Sequence, residues 1–414
     1  MNRRVVVTGT GVISPVGNDT QTFWKNILDG VCGIDFITSI PTDDLPVKIA
    51  GEIKDFSPAD YGIEPPFARK QDKFTVYAVA AAWQAMKEAG LNSGEEGNID
   101  PFRLGVYVGS GIGGFNTQVR ETEKILKDGA KWISPLFIPT MISNIAAGNI
   151  AIRNGACGPC LPVVTACATS THAIGEAYRA IKHGYADAII TGGTEAAIIP
   201  LGLAGFANAK ALSRAEDPKY ASLPFSADRG GFVMAEGAAM LVLEEYEHAV
   251  GRGANIIAEV CGYGNTCDAH HVTAPRPDGA TQSAAIRMAL DEAGYTSEDE
   301  LYINAHGTGT ALNDSSETAA FKIALGEDAY KAHISSTKGS TGHMLGAAGA
   351  VEALASILAL RDGIVPPTIN LTNPDPELDL DYTPNQPVKA DLTIAISDSL
   401  GFGGHNGAVA FRKY

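Results

Sequence analysis

No long apolar run occurs in the chain. Its hydrophobic stretches are short and broken by glycine, asparagine or charge, which excludes a membrane-spanning helix. Basic residues are scarce: 31 Lys and Arg face 47 Asp and Glu, a net charge of −16. A nucleic-acid footprint needs clustered cations, so this deficit excludes a nucleic-acid partner. It leaves room for an acidic protein that meets a local basic patch. Cysteine is sparse too, with six residues at 32, 157, 160, 167, 261 and 267. Cys157-Gly158-Pro159-Cys160 has the spacing of a zinc or redox pair. No second well-spaced pair accompanies it, and it leads into a strand rather than opening a helix. Reduced, largely buried thiols are expected. Arg3–Gly9 enters a strand with no signal-peptide core, which points to a cytoplasmic protein.

What the chain does have is apolar and small residues, 45% hydrophobic with 46 glycines in 414 residues. That composition fits a soluble globular protein of two domains or two fused halves. Strand candidates are Arg4–Thr8, Leu104–Val108, Leu161–Thr165, Ala188–Thr191 and Ala238–Leu243. A second set follows at Ile256–Tyr263, Leu301–Asn304, His333–Ser335, Ile394–Ile396 and Gly407–Phe411. Helical spacing marks Phe74–Ala89, Ala168–His183, Gln282–Ala293, Ser315–Leu325 and Leu345–Leu360. Near-continuously apolar strands separated by helices predict α/β sheets covered on both faces. A change of register near Gly251-Arg252-Gly253 divides the chain into similar halves, 1–250 and 251–414. The irregular stretch Val365–Leu392 reads as a surface connection.

Four segments carry chemistry. In Thr165-Ala166-Cys167-Ala168 an apolar strand ends and a helix begins, placing Cys167 where helix N–H groups and the macrodipole favour a thiolate. Asn304-Ala305-His306-Gly307-Thr308-Gly309-Thr310 is a strand that empties into a Gly/Thr turn carrying His306, at the strand end where ligands gather in open α/β sheets. Ser335-Ser336-Thr337-Lys338-Gly339-Ser340-Thr341-Gly342-His343 repeats the arrangement and puts His343 at a helix start, where a neutral imidazole is favoured. Gly401-Phe402-Gly403-Gly404 is a glycine-dense loop in which Phe402 can swing. One Cys and two His at strand ends fit a thiol hydrolase, a metal site or an acyl-transfer site. The spacings match no compact zinc pattern, and the flanks of Cys167 do not match a papain-like hydrolase.

Together these segments, in this order and over essentially the whole chain, resemble the β-ketoacyl-acyl-carrier-protein synthases of the thiolase superfamily. The resemblance implies a thiolase-like fold, two similar halves in a five-layered αβαβα sandwich. It also implies decarboxylative condensation of acyl- and malonyl-carrier protein, with Cys167 as nucleophile and His306 and His343 facing it. Lys338 would pair with Glu317 and order the histidine loops. Phe402 would gate the site and, with Cys167, supply oxyanion N–H groups. Thr308 and Thr310 would hold the pantetheine arm, Ile112 and Phe206 would line the acyl pocket, and Arg69, Lys70 and Lys210 would dock the carrier. A homodimer with no required cofactor is implied, the phosphopantetheine arriving on the carrier. Some members bind a monovalent cation, Na or K, near positions matching Asn304, Glu352, Ser397 and Asp398. Asp398-Ser399-Leu400 replaces the common Asn-Ser-Phe, and His405 stands where Thr is frequent. The runner-up readings are a polyketide ketosynthase and a non-catalytic chain-length partner subunit, which lacks the nucleophile.

Overall fold

The computed structural model describes residues 3–414. Ten strands form its main sheet. They are β1 (Val5–Ile13), β2 (Leu104–Gly109), β3 (Cys160–Leu161), β4 (Ala188–Glu195) and β5 (Gly237–Glu245), then β6 (Ala258–Cys267), β7 (Leu301–Asn304), β8 (His333–Ser335), β9 (Ile394–Gly401) and β10 (His405–Lys413). In space they run β8-β7-β9-β10-β6-β1-β5-β4-β2-β3. Each set of five therefore has the same order: its third strand outermost, then second, fourth, fifth and first. The sets join where Val5–Val7 pairs antiparallel with Ala258–Val260.

Six helices complete the layers: α1 (Lys73–Ala89), α2 (Ile145–Asn154), α3 (Thr169–Lys182), α4 (Ala280–Ala293), α5 (Ala311–Leu325) and α6 (Ala348–Asp362). α3 and α6 pack against each other and against strands of both sets. α1 and α2 cover the outer face of β1–β5, and α4 and α5 cover that of β6–β10. The architecture is thus a thiolase-like five-layered sandwich. Sheets covered on both sides explain why β5 is buried throughout: Ala239, Leu241 and Leu243 face α3 and α6, while Ala238, Met240 and Val242 face α1.

Glycines set the tightest approaches. A Cβ on Gly9 or Gly11 of β1 would lie 2.1 Å from the carbonyl oxygens of Ala85 or Ala81 in α1. On Gly262 or Gly264 of β6 it would lie 1.9 and 1.8 Å from those of Ala289 and Ala285 in α4. The same Gly-x-Gly device thus seats the first outer helix on the first strand of each set.

Two expectations need correction. The strand expected over Leu161–Thr165 stops at Leu161, because Pro162 has no N–H to continue the ladder. Cys157 and Cys160 are exposed rather than buried, since β3 is the open edge of the sheet; Cys267 is exposed as well. All six thiols are free. No helix among the described residues is long and apolar enough to cross a membrane.

Candidate active site

Cys167 lies in a single 3-10 turn, Ala166–Ala168, directly ahead of α3. Ala166 opens this turn in the left-handed region at φ 51°, a strained position for a residue with a Cβ. Close packing holds it there. A Cβ on Gly401 would meet Thr165 O at 2.5 Å and stand 3.4 Å from Cys167 N, so the loop leading to Phe402 lies against the backbone of the cysteine.

Cys167, His306, His343, Thr308, Thr310, Phe402 and Lys210 all border one cavity of about 420 Å³. Of the other two residues assigned to it from sequence, Phe206 packs its ring against Phe402 at 6.3 Å and against Phe232 at 5.6 Å. Ile112 is not on this wall; it sits half-exposed on the loop after β2. Arg69 and Lys70 are exposed on a separate surface beyond the short helix Pro65–Ala68. Only Lys210 of the three basic residues reaches the cavity mouth.

The two imidazoles meet edge to face, centroids 5.3 Å apart at 86°. Lys338 Nζ lies 3.3 Å from His306 Nδ1 and donates to His306 O at 2.6 Å. An ammonium can only donate, so Nδ1 accepts and the ring proton of His306 is on Nε2. Lys338 forms its ion pair with Glu352, not with Glu317 as expected from sequence. Glu317 instead accepts from the N–H groups of His306 and Gly307 at 2.6 and 2.8 Å, and from Asn313 Nδ2 at 3.1 Å. Eleven residues separate Glu317 from His306, so its helix α5 folds back over the loop it braces; Lys338 is instead aimed at α6.

Burial, then the Lys338 charge, holds both imidazoles well below the ordinary histidine value, so both are neutral donors. For His343 the cause differs from the one expected. It is not at a helix start; α6 begins at Ala348, and the backbone of His343 bridges to β-like contacts, donating to Val233 O at 2.7 Å. Burial also pushes the Cys167 thiol up to about 12, against the pull of Lys338 and with Glu195 and Glu352 adding to the rise. Desolvation outweighs the helix-start effect, and the resting group is a thiol rather than the expected thiolate.

Around the cation candidates the strands alternate. Asn304 and Ser397 pair in register on β7 and β9 and face α6, where Asn304 Oδ1, Ser397 Oγ and Glu352 Oε2 have no hydrogen-bond partner. Asp398 is turned to the opposite side, where Gln282 of α4 donates to it at 2.9 Å. It therefore does not share the donor set of the other three by its side chain. Burial raises Asp398 to about 7.

Three positions escaped the sequence reading. His172 of α3 bridges Thr165 Oγ1 at 2.8 Å and Asn406 O at 3.2 Å, tying the Cys167 turn to the strand that follows the Phe402 loop. Asp268 accepts from Asn406 Nδ2 at 2.8 Å and from Arg276 N at 2.9 Å. Glu195 closes β4 and is fully buried. Its only sequence signal is a carboxylate ending an apolar strand.

The matches to known proteins agree with this geometry. Residues 2–249 match the beta-ketoacyl synthase N-terminal domain, and residues 257–372 match its C-terminal domain. The chain belongs to the β-ketoacyl synthase family. It is 48% identical over 413 residues to 3-oxoacyl-[acyl-carrier-protein] synthase 2 of Staphylococcus aureus strain COL, covering 100% of this chain and 99% of that one. Identity to the Synechocystis protein of the same name is also 48%, over 100% and 98% of the two chains. Among solved structures, a ketosynthase in complex with its type II polyketide acyl-carrier protein aligns with TM-score 0.91 at 34% identity, each chain fully covered. A beta-ketoacyl synthase from Burkholderia phymatum aligns with TM-score 0.91 at 33% identity, again over 100% of both chains.

Proposed function

We propose that this β-ketoacyl synthase is an elongating condensing enzyme, joining an acyl chain to malonyl-carrier protein to give the 3-oxoacyl product. The observation that carries the reading is one cavity bordered by a thiol, two neutral imidazole donors and a glycine-flanked aromatic loop. In the first step Cys167 Sγ attacks the acyl thioester of a carrier's phosphopantetheine. The thiol proton leaves on the departing pantetheine sulfur, so the exchange needs no net proton acceptor, which suits a cysteine that is protonated at rest. The N–H groups of Cys167 and Phe402 stabilise the tetrahedral oxyanion.

Malonyl-carrier protein then binds and loses its carboxylate as CO2 or bicarbonate. The enolate oxygen that forms is stabilised by N–H donors of His306 and His343, oriented before the charge develops. The carbanion attacks the Cys167 thioester, the cysteine departs as a thiolate that takes up one proton from solvent, and the chain is two carbons longer. Thr308 and Thr310, their hydroxyls 3.0 Å apart on the cavity wall, hold the pantetheine arm. Lys210 at the mouth, with Arg69 and Lys70, meets the acidic carrier. The enzyme needs no cofactor of its own. Asn304, Ser397 and Glu352 would hold a monovalent cation beside Lys338, supplying charge that steadies the ion pair behind His306. β3, an open edge with Leu161 and Val164 half-exposed, supports a homodimer built on that edge.

Identity of 48% to 3-oxoacyl-[acyl-carrier-protein] synthase 2, against 34% to the type II polyketide ketosynthase, favours chain elongation over a polyketide role. A chain-length partner subunit is disfavoured by Cys167 itself. Incubation with acyl-carrier protein, followed by mass spectrometry of the Cys167 peptide, tests the reading. An acyl adduct is expected; its absence with every chain length would sink it. His306→Ala and His343→Ala should retain acylation while losing malonyl decarboxylation.

A further inference from the structure

The repeat of the fold places a glycine where the nucleophile stands. Ala166-Cys167-Ala168 and Leu345-Gly346-Ala347 are both single 3-10 turns, and each leads into the central helix of its set, α3 or α6. Both begin on a non-glycine residue in the left-handed region, at φ 51° and 48°. Gly346 is thus the positional counterpart of Cys167. Its N–H is already engaged, donating to Glu195 Oε2 at 3.1 Å. The same oxygen accepts from Gly111 N at 2.8 Å, and Oε1 accepts from Ser110 Oγ at 2.7 Å and Ile112 N at 3.3 Å. Glu195 ends β4, the counterpart of β9, which ends at Gly401 ahead of Phe402. Where the proposed reaction uses N–H groups of the Cys167 turn and the Phe402 loop for a substrate oxyanion, the matching elements hold a resident carboxyl group.

We propose that Glu195 is a positioning residue that clamps the Gly111–Ile112 loop to the Gly346 turn and sets the electrostatic load on the Cys167 thiol. The clamp is geometric. Four donors from two separate segments converge on one carboxyl group, and a Cβ on Gly346 would lie 2.4 Å from Gly111 N. The load follows from closeness: a Cβ on Gly111 would lie 2.8 Å from Glu195 Oε2 and 3.5 Å from the carbonyl oxygen of Ala166, the residue before Cys167, so a carboxylate there pushes the thiol upward, against Lys338. No cation pairs with Glu195 among the described residues. The titratable groups near it on the middle-layer elements packed against β4 are Cys167 on its turn, His343 ahead of Gly346, His172 of α3, and Glu352 of α6 with its partner Lys338; the Ser110–Gly113 loop carries none. Burial raises Glu195 to about 7, with its four donors opposing, so its charge appears as pH rises through neutrality.

Any control of acyl-chain choice by the clamp rests on the condensing-enzyme reading and on an acyl chain that extends past the cavity wall to the Gly111–Ile112 loop, since Ile112 itself does not border the cavity. The effect on the thiol does not. Glu195→Gln keeps an acceptor for Gly111 and Gly346, removes the charge, and turns an NH2 toward Ser110 Oγ, which can accept, and Ile112 N, which cannot. Alkylation of Cys167 by iodoacetamide, followed by mass spectrometry across pH, should then be severalfold faster above neutrality, with its midpoint moved to lower pH. A profile that superposes on that of the parent overturns the electrostatic half. Glu195→Ala frees the loop, and the ratio of kcat/KM between short and long acyl donors should move toward one, while Glu195→Gln, which retains the bridge from Gly111 to Gly346, moves it less. An unchanged ratio in folded Glu195→Ala overturns the clamp. If that variant does not fold, Glu195→Asp, whose carboxyl group falls short by one methylene, takes its place under the same criterion. A parent enzyme that accepts no acyl donor sinks the condensing-enzyme reading, and the alkylation comparison still decides the charge.

Discussion

Strand for strand, β1–β5 and β6–β10 have one layout, yet they carry different chemistry. Both seat an outer helix through Gly-x-Gly, and both start a central helix from a strained 3-10 turn. The first set puts Cys167 in that turn and an unreactive Ser110-Gly111-Ile112 loop after β2. The second puts Gly346 in the turn, His343 three residues before it and His306 after β7. Because α3 and α6 lie side by side in the middle layer, the two turns and their loops meet at one place. The proposed nucleophile is thereby given by one set and the two imidazoles that border the same cavity by the other. A duplicated scaffold can divide a reaction that neither copy performs alone.

The largest effect expected is from making the first turn resemble the second. Cys167→Gly should lower condensation roughly a thousandfold or more while leaving the fold intact, measured by turnover and by thermal unfolding. Retained condensation would break the assignment of the nucleophile to the first set. Next is Lys338→Met, which strands Glu352 without a counter-ion in the interior. It should cost about 3–5 kcal/mol in denaturant unfolding and slow malonyl decarboxylation more than acylation, since His306 loses the group that fixes its tautomer. Equal slowing of both steps would count against that positioning role.

The packing device offers a sharper test. Gly11→Val and Gly264→Val each force a helix off its strand, with carbonyl oxygens 2.1 and 1.8 Å from the new Cβ. Each should destabilise by about 1–3 kcal/mol in chemical denaturation. Similar losses would sharpen the equivalence of the sets, and a large inequality would break it. On acidification, both histidines should stay neutral through the ordinary imidazole value of about 6.5, because burial holds them well below it. The unfolded chain binds those protons and the folded one does not, so stability should fall as pH drops below that value. Decarboxylation measured on still-folded enzyme should show no imidazole titration there. The smallest effect is at the surface: Lys210→Glu should raise KM for acyl-carrier protein by about 1 kcal/mol or less, most clearly at low salt, with kcat little changed.

Much of this was legible in the chain. The apolar strands, the helical spacing and the three candidate residues Cys167, His306 and His343 with their glycine-rich surroundings are local signals, set by which side chains a buried strand tolerates and where a chain must turn. Leu301–Asn304 and His333–Ser335 occur as read, and α3 starts one residue from its expected position. The Lys338 partner was not legible, because choosing between Glu317 and Glu352 depends on which helix packs over which loop. The exposure of Cys157 and Cys160 was not legible either, since only strand order makes β3 an edge.

By itself, then, the sequence determined the kinds of element, the family and the candidate residues that the fold gathers at one cavity, because periodicity and turn chemistry act over a few residues. Tertiary structure decided the protonation and the partners. Cys167 rests as a thiol and the histidines as neutral donors because burial removes the water that would stabilise charge. Glu195 reaches both the Gly111–Ile112 loop and the Gly346 turn only because two distant stretches of chain are folded onto the same middle layer.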